Sequence, residues 1–185
     1  MPPLELFTRF PCAHADENGV RFLRITDIVP NVVDWDRVPF CSIDEAKRRR
    51  SQLIEGDIVV ARTGATVGYA KRMNKRHPEA VFASYLVRLR PASHDVSVLM
   101  GVFVTSGEYK KYVLSNVGGA AQPNANAQVL SNCAFILPAD SVLREFVGLV
   151  DPILDQIEIL SLQNALLRKA RDLLLPRLMD GRISI

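Results

Sequence analysis

The sequence has few of the residues that build disulfide-stapled domains or metal sites. Its three cysteines, Cys12, Cys41 and Cys133, lie far apart and lack CxxC spacing. We therefore predict neither a disulfide framework nor a zinc site. Cys12 and His14 could supply two metal ligands, but a site would need two more, and the other histidines, His77 and His94, lie in loops without a ligand pattern. We therefore expect no metal and no other cofactor.

Long hydrophobic runs are also absent. No apolar stretch reaches the roughly 18 residues that a transmembrane helix needs. The first ten residues contain two prolines and no apolar segment typical of a signal peptide. We therefore expect a cytoplasmic protein with no membrane partner. A composition of 48% hydrophobic and 23% charged residues, over 185 residues, is ordinary for one soluble domain with an extension.

The charge is unevenly distributed along the chain. The formal net charge is only +3, but residues 47–76 contain nine Lys or Arg against two acidic residues, for a local charge of +7. A concentrated basic patch favours a polyanionic partner such as duplex DNA. The alternative is a solvated face of a mildly basic protein.

The last third of the sequence has the pattern of a coiled coil. We predict one helix from Asp140 to Pro176, roughly 54 Å long, with an apolar seam that needs a partner helix. The alternative is a core helix that packs on the preceding domain. The seam predicts an interface at Leu143, Phe146, Val150, Ile153, Ile157, Leu160, Asn164, Leu167 and Leu174.

The preceding residues, 1–138, alternate short strand and helix patterns. Strands are predicted at Val20–Ile25, Asp57–Arg62, Val67–Lys71, Ala80–Ala83, Leu86–Arg90 and Cys133–Leu137. Short helices are predicted from Ile43 to Arg50, after a capping box at Ser42 and Glu45, and at Val96–Thr105 and Gly107–Asn116. Residues 26–31 and 118–126 are predicted loops. The fold class is therefore mixed α/β (α+β), with the long coiled-coil helix following over 139–185.

Two patterns suggest enzymes but are incomplete. Gly64 and Gly68 follow a strand as in a phosphate-binding loop, but no Lys followed by Ser or Thr closes it. Asp95, Glu108 and Lys110 resemble the acidic pair and lysine of metal-dependent nucleases, but an exposed helix face explains these common residues at loose spacing better. There is no nucleophile elbow or dinucleotide-binding fingerprint. We expect a non-catalytic protein, with a nuclease as a remote alternative.

The candidate DNA-binding residues fall in the basic window and in the polar loop. Cations suit phosphates, while Asn and Gln can pair with adenine and Arg with guanine. We expect the cations to contact mainly the DNA backbone and the amides mainly bases. Turn formation by the amides, and stabilisation of a helix C-terminus by residues 47–50, are the structural alternatives. The candidates are Lys47, Arg48, Arg49, Arg50, Arg62, Thr63, Lys71, Arg72, Lys75, Arg76, Gln122, Asn124 and Asn126.

Four motifs, in order between Val20 and Ile185, carry a family resemblance. They are Arg24-Ile25-Thr26-Asp27-Ile28, Gly56-Asp57-Ile58-Val59-x-x-Arg62-x-Gly64-Ala65-x-x-Gly68, Ala121-Gln122-Pro123-Asn124, and Arg171-Asp172-x-Leu174-Leu175-Pro176-x-Leu178-Met179-x-Gly181-x-Ile183. Together they resemble the specificity (S) subunit of type I restriction-modification systems.

The resemblance implies a target-recognition domain followed by a conserved spacer helix, without catalytic activity. Methylation would come from a modification subunit that docks on the chain, and cleavage from a restriction subunit. Full specificity subunits have two recognition domains and two spacer helices, so we expect a half-subunit or the trailing half of a longer one. An antiparallel homodimer, or pairing with another specificity half, would let it read a bipartite target. The alternative is an assembly protein that binds protein partners.

Overall fold

The computed structural model describes residues 19–30, 32–117 and 123–180. The chain divides into two compact units, residues 1–147 and residues 148–185, so the division falls inside the long C-terminal helix. The predicted boundary at 138/139 concerns function and stays a prediction. Cys12 and His14 lie outside the described residues.

Short elements make up the first unit. Its strands are β1 (Val20–Leu23), β2 (Phe40–Cys41), β3 (Ile58–Ala61), β4 (Ala70–Arg72), β5 (Ala80–Phe82) and β6 (Leu86–Leu89). Its helices are α1 (Ile25–Ile28), α2 (Glu45–Ser51), a 3-10 helix at Gly64–Thr66, α3 (His94–Val104), α4 (Gly107–Ser115) and α5 (Ala127–Ser131). The last helix, α6 (Asp140–Met179), continues into the second unit.

The strands form two three-stranded sheets, with the orders β2-β1-β5 and β4-β3-β6. β1 is parallel to β5 and antiparallel to β2, whereas β3 is antiparallel to both of its neighbours. This arrangement confirms the predicted mixed α/β class. In the second sheet Ala61 lies opposite Leu86, and Val60 lies opposite Ala70. The end of β3 therefore meets the starts of β4 and β6.

β3 is the central strand of the first unit, and both its faces are buried. Successive side chains of a strand point to opposite faces. Val59 and Ala61 pack with Phe82 in a core that joins the two sheets. Ile58 and Val60 pack in a second core that includes residues of α3, α4 and α5. A continuous apolar run, rather than an alternating one, is what a strand covered on both sides requires.

A buried carboxylate, paired with an exposed arginine, fixes the start of β3. The Asp57 carboxylate is 1% exposed and accepts hydrogen bonds from Nε (2.7 Å) and Nη2 (2.8 Å) of Arg90 and from the Ile54 N–H (3.0 Å). Nη2 of Arg90 also donates to the Gln52 carbonyl at 3.4 Å. The acidic residue of the Gly-Asp motif therefore joins β3, β6 and the turn before β3.

Two glycines turn the chain from β3 back into β4. Gly64 and Gly68 have φ angles of +76° and +84°, which residues with a Cβ rarely adopt. A Cβ at Gly68 would also lie 3.3 Å from Val113, whereas nothing lies within 4 Å of one at Gly64. The positive φ angle favours glycine at both positions. At Gly68 the nearby Val113 side chain also leaves little room for a Cβ.

The predicted start of α2 is wrong. The helix begins at Glu45, and its N-cap is Asp44, whose carboxylate accepts a hydrogen bond from the Lys47 N–H at 2.9 Å. Ser42 lies two residues too early to serve the first turn. Ser and Asp are about equally good N-caps, so the sequence alone did not distinguish Ser42 from Asp44.

The predicted loop at 26–31 begins with a helical turn. α1 covers Ile25–Ile28, and Asp27 closes this turn. Its carboxylate accepts a hydrogen bond from the Arg24 N–H at 2.8 Å and pairs with the Arg24 guanidinium at 2.9 Å. Within the Arg-Ile-Thr-Asp-Ile motif, the contacts between Arg24 and Asp27 therefore stabilise this turn.

The predicted strand at Cys133–Leu137 is also wrong, because these residues form no ladder. Phe135 instead stacks on Phe103 of α3, with ring centroids 5.5 Å apart, while Ile136 is 88% exposed. The apolar run satisfies the strand pattern, but the segment packs through Phe135 and through Cys133, which contacts the second core, instead of pairing with a strand.

The predicted long helix is confirmed and is longer than expected. It begins at Asp140, as predicted, and continues past Pro176 to Met179. The Pro176 carbonyl accepts a hydrogen bond from the Asp180 N–H at 2.9 Å, so the helical bonding pattern resumes beyond the proline. No helix among the described residues is long and apolar enough to cross a membrane.

The Asp57 ion pair predicts a stability change. Arg90→Met keeps much of the alkyl stem but leaves the buried carboxylate with one hydrogen-bond donor. We expect the free energy of unfolding, measured in urea, to fall by about 2 kcal/mol or more, because an uncompensated buried charge is costly. The control is Arg50→Met at an exposed position of α2, which should change it by less than about 0.5 kcal/mol. Equal effects would contradict a structural role for the pair.

The two glycines predict unequal costs for the same substitution. Gly64→Ala should destabilise by about 1 to 2 kcal/mol, from backbone strain alone. Gly68→Ala should cost more, because its methyl group also presses on Val113. Thermal unfolding of the two variants, compared with the unmodified chain, measures the difference. A larger loss at Gly64 would show that the Val113 contact is unimportant.

Candidate nucleic-acid interface

Three segments meet where β3 ends, and we call residues 62–64, 83–86 and 123–126 the loop junction. The Arg62 N–H donates to the Tyr85 carbonyl (3.0 Å), and the Ala125 N–H donates to the Arg62 carbonyl (2.8 Å). The Gly64 N–H donates to the Pro123 carbonyl (3.0 Å). Thr63 and Asn124 form an isolated β-bridge. The structure therefore brings together the two loops in which the sequence predicted DNA contacts.

The predicted DNA-contacting side chains of the loop junction differ in burial and in hydrogen bonding. Nε of Arg62 is buried and has no hydrogen-bond acceptor in the part of the chain that the structure describes. Asn124 is exposed. Asn126 caps α5, since its Oδ1 accepts from the Val129 N–H at 2.8 Å, so that oxygen is already used. Gln122 lies outside the described residues.

Two residues near this site are absent from the DNA contacts predicted from the sequence. Tyr85 is 54% exposed in the turn between β5 and β6. Lys110, on the exposed face of α4, places its Nζ 4.1 Å from the centroid of the Tyr69 ring, beside the 3-10 helix at 64–66. An aromatic residue in the short connection between the predicted strands Ala80–Ala83 and Leu86–Arg90 was a visible signal for Tyr85. The position of Lys110 depends on the packing of α4 and had no sequence signal.

The remaining hairpin cations lie away from the loop junction. Because β3 and β4 are antiparallel, Lys75 and Arg76 follow β4 at the end where β3 begins, and both are exposed. Lys71 lies within β4, with its Nζ 3.5 Å from the Pro30 carbonyl. The predicted hairpin group is thus divided between the two ends of one sheet.

Arg72 connects β4 to α3. Its Nε donates to Oγ of Ser97 at 2.9 Å, and that hydroxyl donates to the Gly56 carbonyl at 2.7 Å. Its stem lies so close to Gly101 that a Cβ there would be 2.9 Å from Cδ of Arg72. Its role as a DNA contact stays a prediction, and its replacement would also disturb the packing of α3.

The cations of α2 are mostly paired with carboxylates. Arg48 pairs with Glu79 (2.6 Å), whose hydrogen bond and charge raise the pKa of Arg48. Lys47 pairs with Asp44 (2.7 Å), and its hydrogen bonds lower the pKa of that carboxyl group. Arg49 pairs with Glu45 (3.0 Å), whereas exposed Arg50 has no partner among the described residues. Exposed pairs of this kind contribute at most about 1 kcal/mol to stability.

The predicted helix interface is largely uncovered. In the first unit Leu143 is buried and Phe146 is half-buried. In the second unit Val150 is half-buried, and the rest of the predicted interface is exposed. These exposed residues are Ile153, Ile157, Leu160, Asn164, Leu167 and Leu174.

The nuclease-like residues do not assemble a metal site among the described residues, where no cluster of three His, Cys, Asp or Glu side chains occurs. Asp95 and Glu108 lie in the first turns of α3 and α4, where negative charge favours the helix N-terminus. Tyr109, between Glu108 and Lys110, is buried and donates to the Leu130 carbonyl at 2.8 Å. Burial raises the pKa of Tyr109 well above its usual range.

Comparison with known proteins gives a match at the level of the fold. No family model matches the sequence, and no curated protein matches it. A solved chain from work on complex assembly and conformational transition of the type I R-M system matches with a TM-score of 0.55 and 19% sequence identity. The match covers 94% of this chain and 42% of that one, so this chain spans less than half of its length. The two chains share a fold.

Proposed function

We propose that the chain is a sequence-specific DNA-recognition module of a type I restriction-modification complex. The observation that carries the proposal is the loop junction, where two polar loops from distant parts of the sequence are bonded together. The four ordered motifs and the fold shared with a chain of the type I R-M system support it.

The arrangement of the sheet fits a duplex. β3 has four residues and spans roughly 13 Å, so the loop junction and Lys75–Arg76, which lie beyond its two ends, are more than about 13 Å apart. The major groove is about 12 Å wide. A junction placed in the groove would leave exposed Lys75 and Arg76 near the flanking phosphates. Base contacts would then come from the loop junction. Lys75 and Arg76 would contribute affinity and fix the position of the domain along the DNA.

The proposed module has no catalytic role of its own. A modification subunit would methylate the site, a restriction subunit would cleave DNA, and the recognition module would position both. A cytoplasmic location remains a prediction.

A second candidate is an assembly protein that binds other proteins through its basic surface. The ion pairs of Lys47, Arg48 and Arg49 favour it, because they reduce the positive charge that α2 offers to phosphate. The dependence of binding on salt separates the two functions.

We also propose that the second unit pairs with another helix. Its exposed seam includes Ile153, Ile157, Leu160, Leu167 and Leu174 at heptad spacing. Closed twofold pairing is the commonest arrangement for identical chains. An antiparallel pair would carry two recognition domains to opposite ends and read an inverted repeat with a gap. Pairing with a different specificity half is the alternative.

DNA binding predicts a steep dependence on salt. Log affinity for duplex DNA, measured with the modification subunit present, should fall with log salt by about 0.9 for each phosphate contacted. The Lys75→Ala/Arg76→Ala double variant should flatten this slope by roughly one to two units across all sequences. Arg168→Ala, in α6, is the control and should leave the slope unchanged. Failure to select any preferred sequence from a random duplex pool would contradict the proposed function.

The exposed seam predicts a loss of pairing on charge insertion. The Leu160→Glu/Leu167→Glu double variant should sediment as a monomer, because charges in an apolar seam oppose association. It should keep a folded first unit and bind a bipartite target at least about tenfold more weakly, since linked sites gain avidity. Lys169→Glu, outside the seam, should still associate. A monodisperse monomer for the unmodified chain at micromolar concentration would exclude self-pairing.

A further inference from the structure

Tyr85 differs from the other aromatic residues in its exposure to solvent. Tyr69 packs against the core that joins the two sheets, and Tyr109 and Tyr112 belong to the second core. Tyr85 is 54% exposed, and no other aromatic side chain within residues 19–30, 32–117 and 123–180 is exposed. Its ring therefore contributes little to either core and is available for a contact outside the chain.

The backbone around Tyr85 is held at several points. The Leu86 N–H donates to the Ala83 carbonyl at 2.9 Å and closes the turn that contains Tyr85. The Ala83 N–H donates to the Leu23 carbonyl at 2.9 Å, and the Tyr85 carbonyl accepts from the Arg62 N–H at 3.0 Å. The ring therefore projects from a fixed position of the loop junction. Ordering a tyrosine on a partner costs little entropy, because its side chain has only two χ angles.

The exposed side chains of the loop junction are those of Tyr85, Asn124 and Asn126. Asn126 already uses its oxygen to cap α5, so it cannot offer both amide groups to a base. Asn124 belongs to one of the four motifs that carry the family resemblance. A side chain that related chains have in common can contact DNA in each of them but cannot give one of them a target of its own. Tyr85 lies outside all four motifs and is free of both restrictions.

The chemistry of the ring suits one group of the major groove. Base edges there present hydrogen-bond donors and acceptors, and the one apolar group is the C5-methyl of thymine. An apolar ring packed on that methyl group distinguishes thymine from cytosine, which lacks it. The ring carries no positive charge, so this contact releases no counterion and leaves the salt dependence of binding unchanged.

We propose that Tyr85 is a specificity-determining residue whose ring contacts the C5-methyl group of a thymine in the major groove. The inference rests on the proposed function and deepens it. It assigns the selection of one base pair to the turn between β5 and β6, a segment in which the sequence predicted no DNA contact.

The first test changes the DNA and leaves the protein unmodified. The full chain is assembled with the modification subunit, and its target is selected from a random duplex pool. Each thymine of that target is then replaced in turn by uracil, which lacks the methyl group and keeps every hydrogen-bonding group. One replacement should weaken binding by about threefold to tenfold, because one apolar contact is lost. The salt slope should not change.

The second test asks whether Tyr85 makes that contact. Tyr85→Ala should lower the preference for this thymine by about tenfold, and uracil at the same position should have no further effect. Tyr85→Phe keeps the ring and should retain both the preference and the sensitivity to uracil. Ile54→Ala is the matched control and should alter no position, because Ile54 is a 47% exposed apolar residue in the turn before β3. Thermal unfolding checks that each variant folds.

A third measurement needs no variant. The thymine that is sensitive to uracil is replaced by 5-iodouracil, in which iodine occupies the place of the methyl group. On irradiation the base forms a covalent bond to an adjoining aromatic ring, with loss of hydrogen iodide. Mass spectrometry of the cross-linked peptide should identify Tyr85.

The outcomes distinguish this inference from the proposed function. No sequence preference at all would defeat both. A clear preference that no uracil replacement weakens, or a sensitivity to uracil that persists in Tyr85→Ala, would overturn only the role of Tyr85. The same holds if Tyr85→Phe loses as much preference as Tyr85→Ala, since the hydroxyl group would then make the contact, or if the cross-link forms at another residue. The DNA-recognition function would stand in each of these cases.

Discussion

The buried carboxylate of Asp57 determines where the central strand starts, and much of the first unit depends on that position. It binds Arg90 at the end of β6 and the Ile54 N–H in the turn before β3. Moving the start of β3 by one residue would exchange its two buried faces. It would also shift Arg62 from the helix-covered face to the other one. The bonds of one buried carboxylate at one end of the sheet therefore help to set the geometry of the loop junction at the other end.

Patterns dominated by local chemistry were predictable from the sequence. Three such patterns each predict one local structure, and the structure contains all three. They are the apolar run of β3, the glycines of the turn after it and the heptad pattern of α6. The spacing of these features also predicted connections at Thr63-Gly64 and at 118–126, and of the second the structure describes residues 123–126, which lie outside the named helices and strands.

Features that depend on tertiary contacts were not predictable in the same way. Arg72 looks like any surface cation in the sequence, but in the fold it bonds Ser97 and packs on Gly101. Cys133–Leu137 has the composition of a strand, yet no strand pairs with it. The meeting of the two polar loops follows from pairing between residues about 60 positions apart, which no local pattern encodes. Tyr85 becomes part of the site only through this pairing.

The bonds that hold the loop junction together join main-chain atoms, and this has a consequence for how such a surface can change over time. The main-chain atoms of Arg62, Gly64, Tyr85, Pro123 and Ala125 make these bonds, so a new side chain at Thr63, Tyr85 or Asn124 removes none of them. New side chains can therefore be tried at the contact surface while β3 and its two cores stay intact. A scaffold built in this way can acquire a different binding preference through a few point substitutions, without first losing its ability to fold.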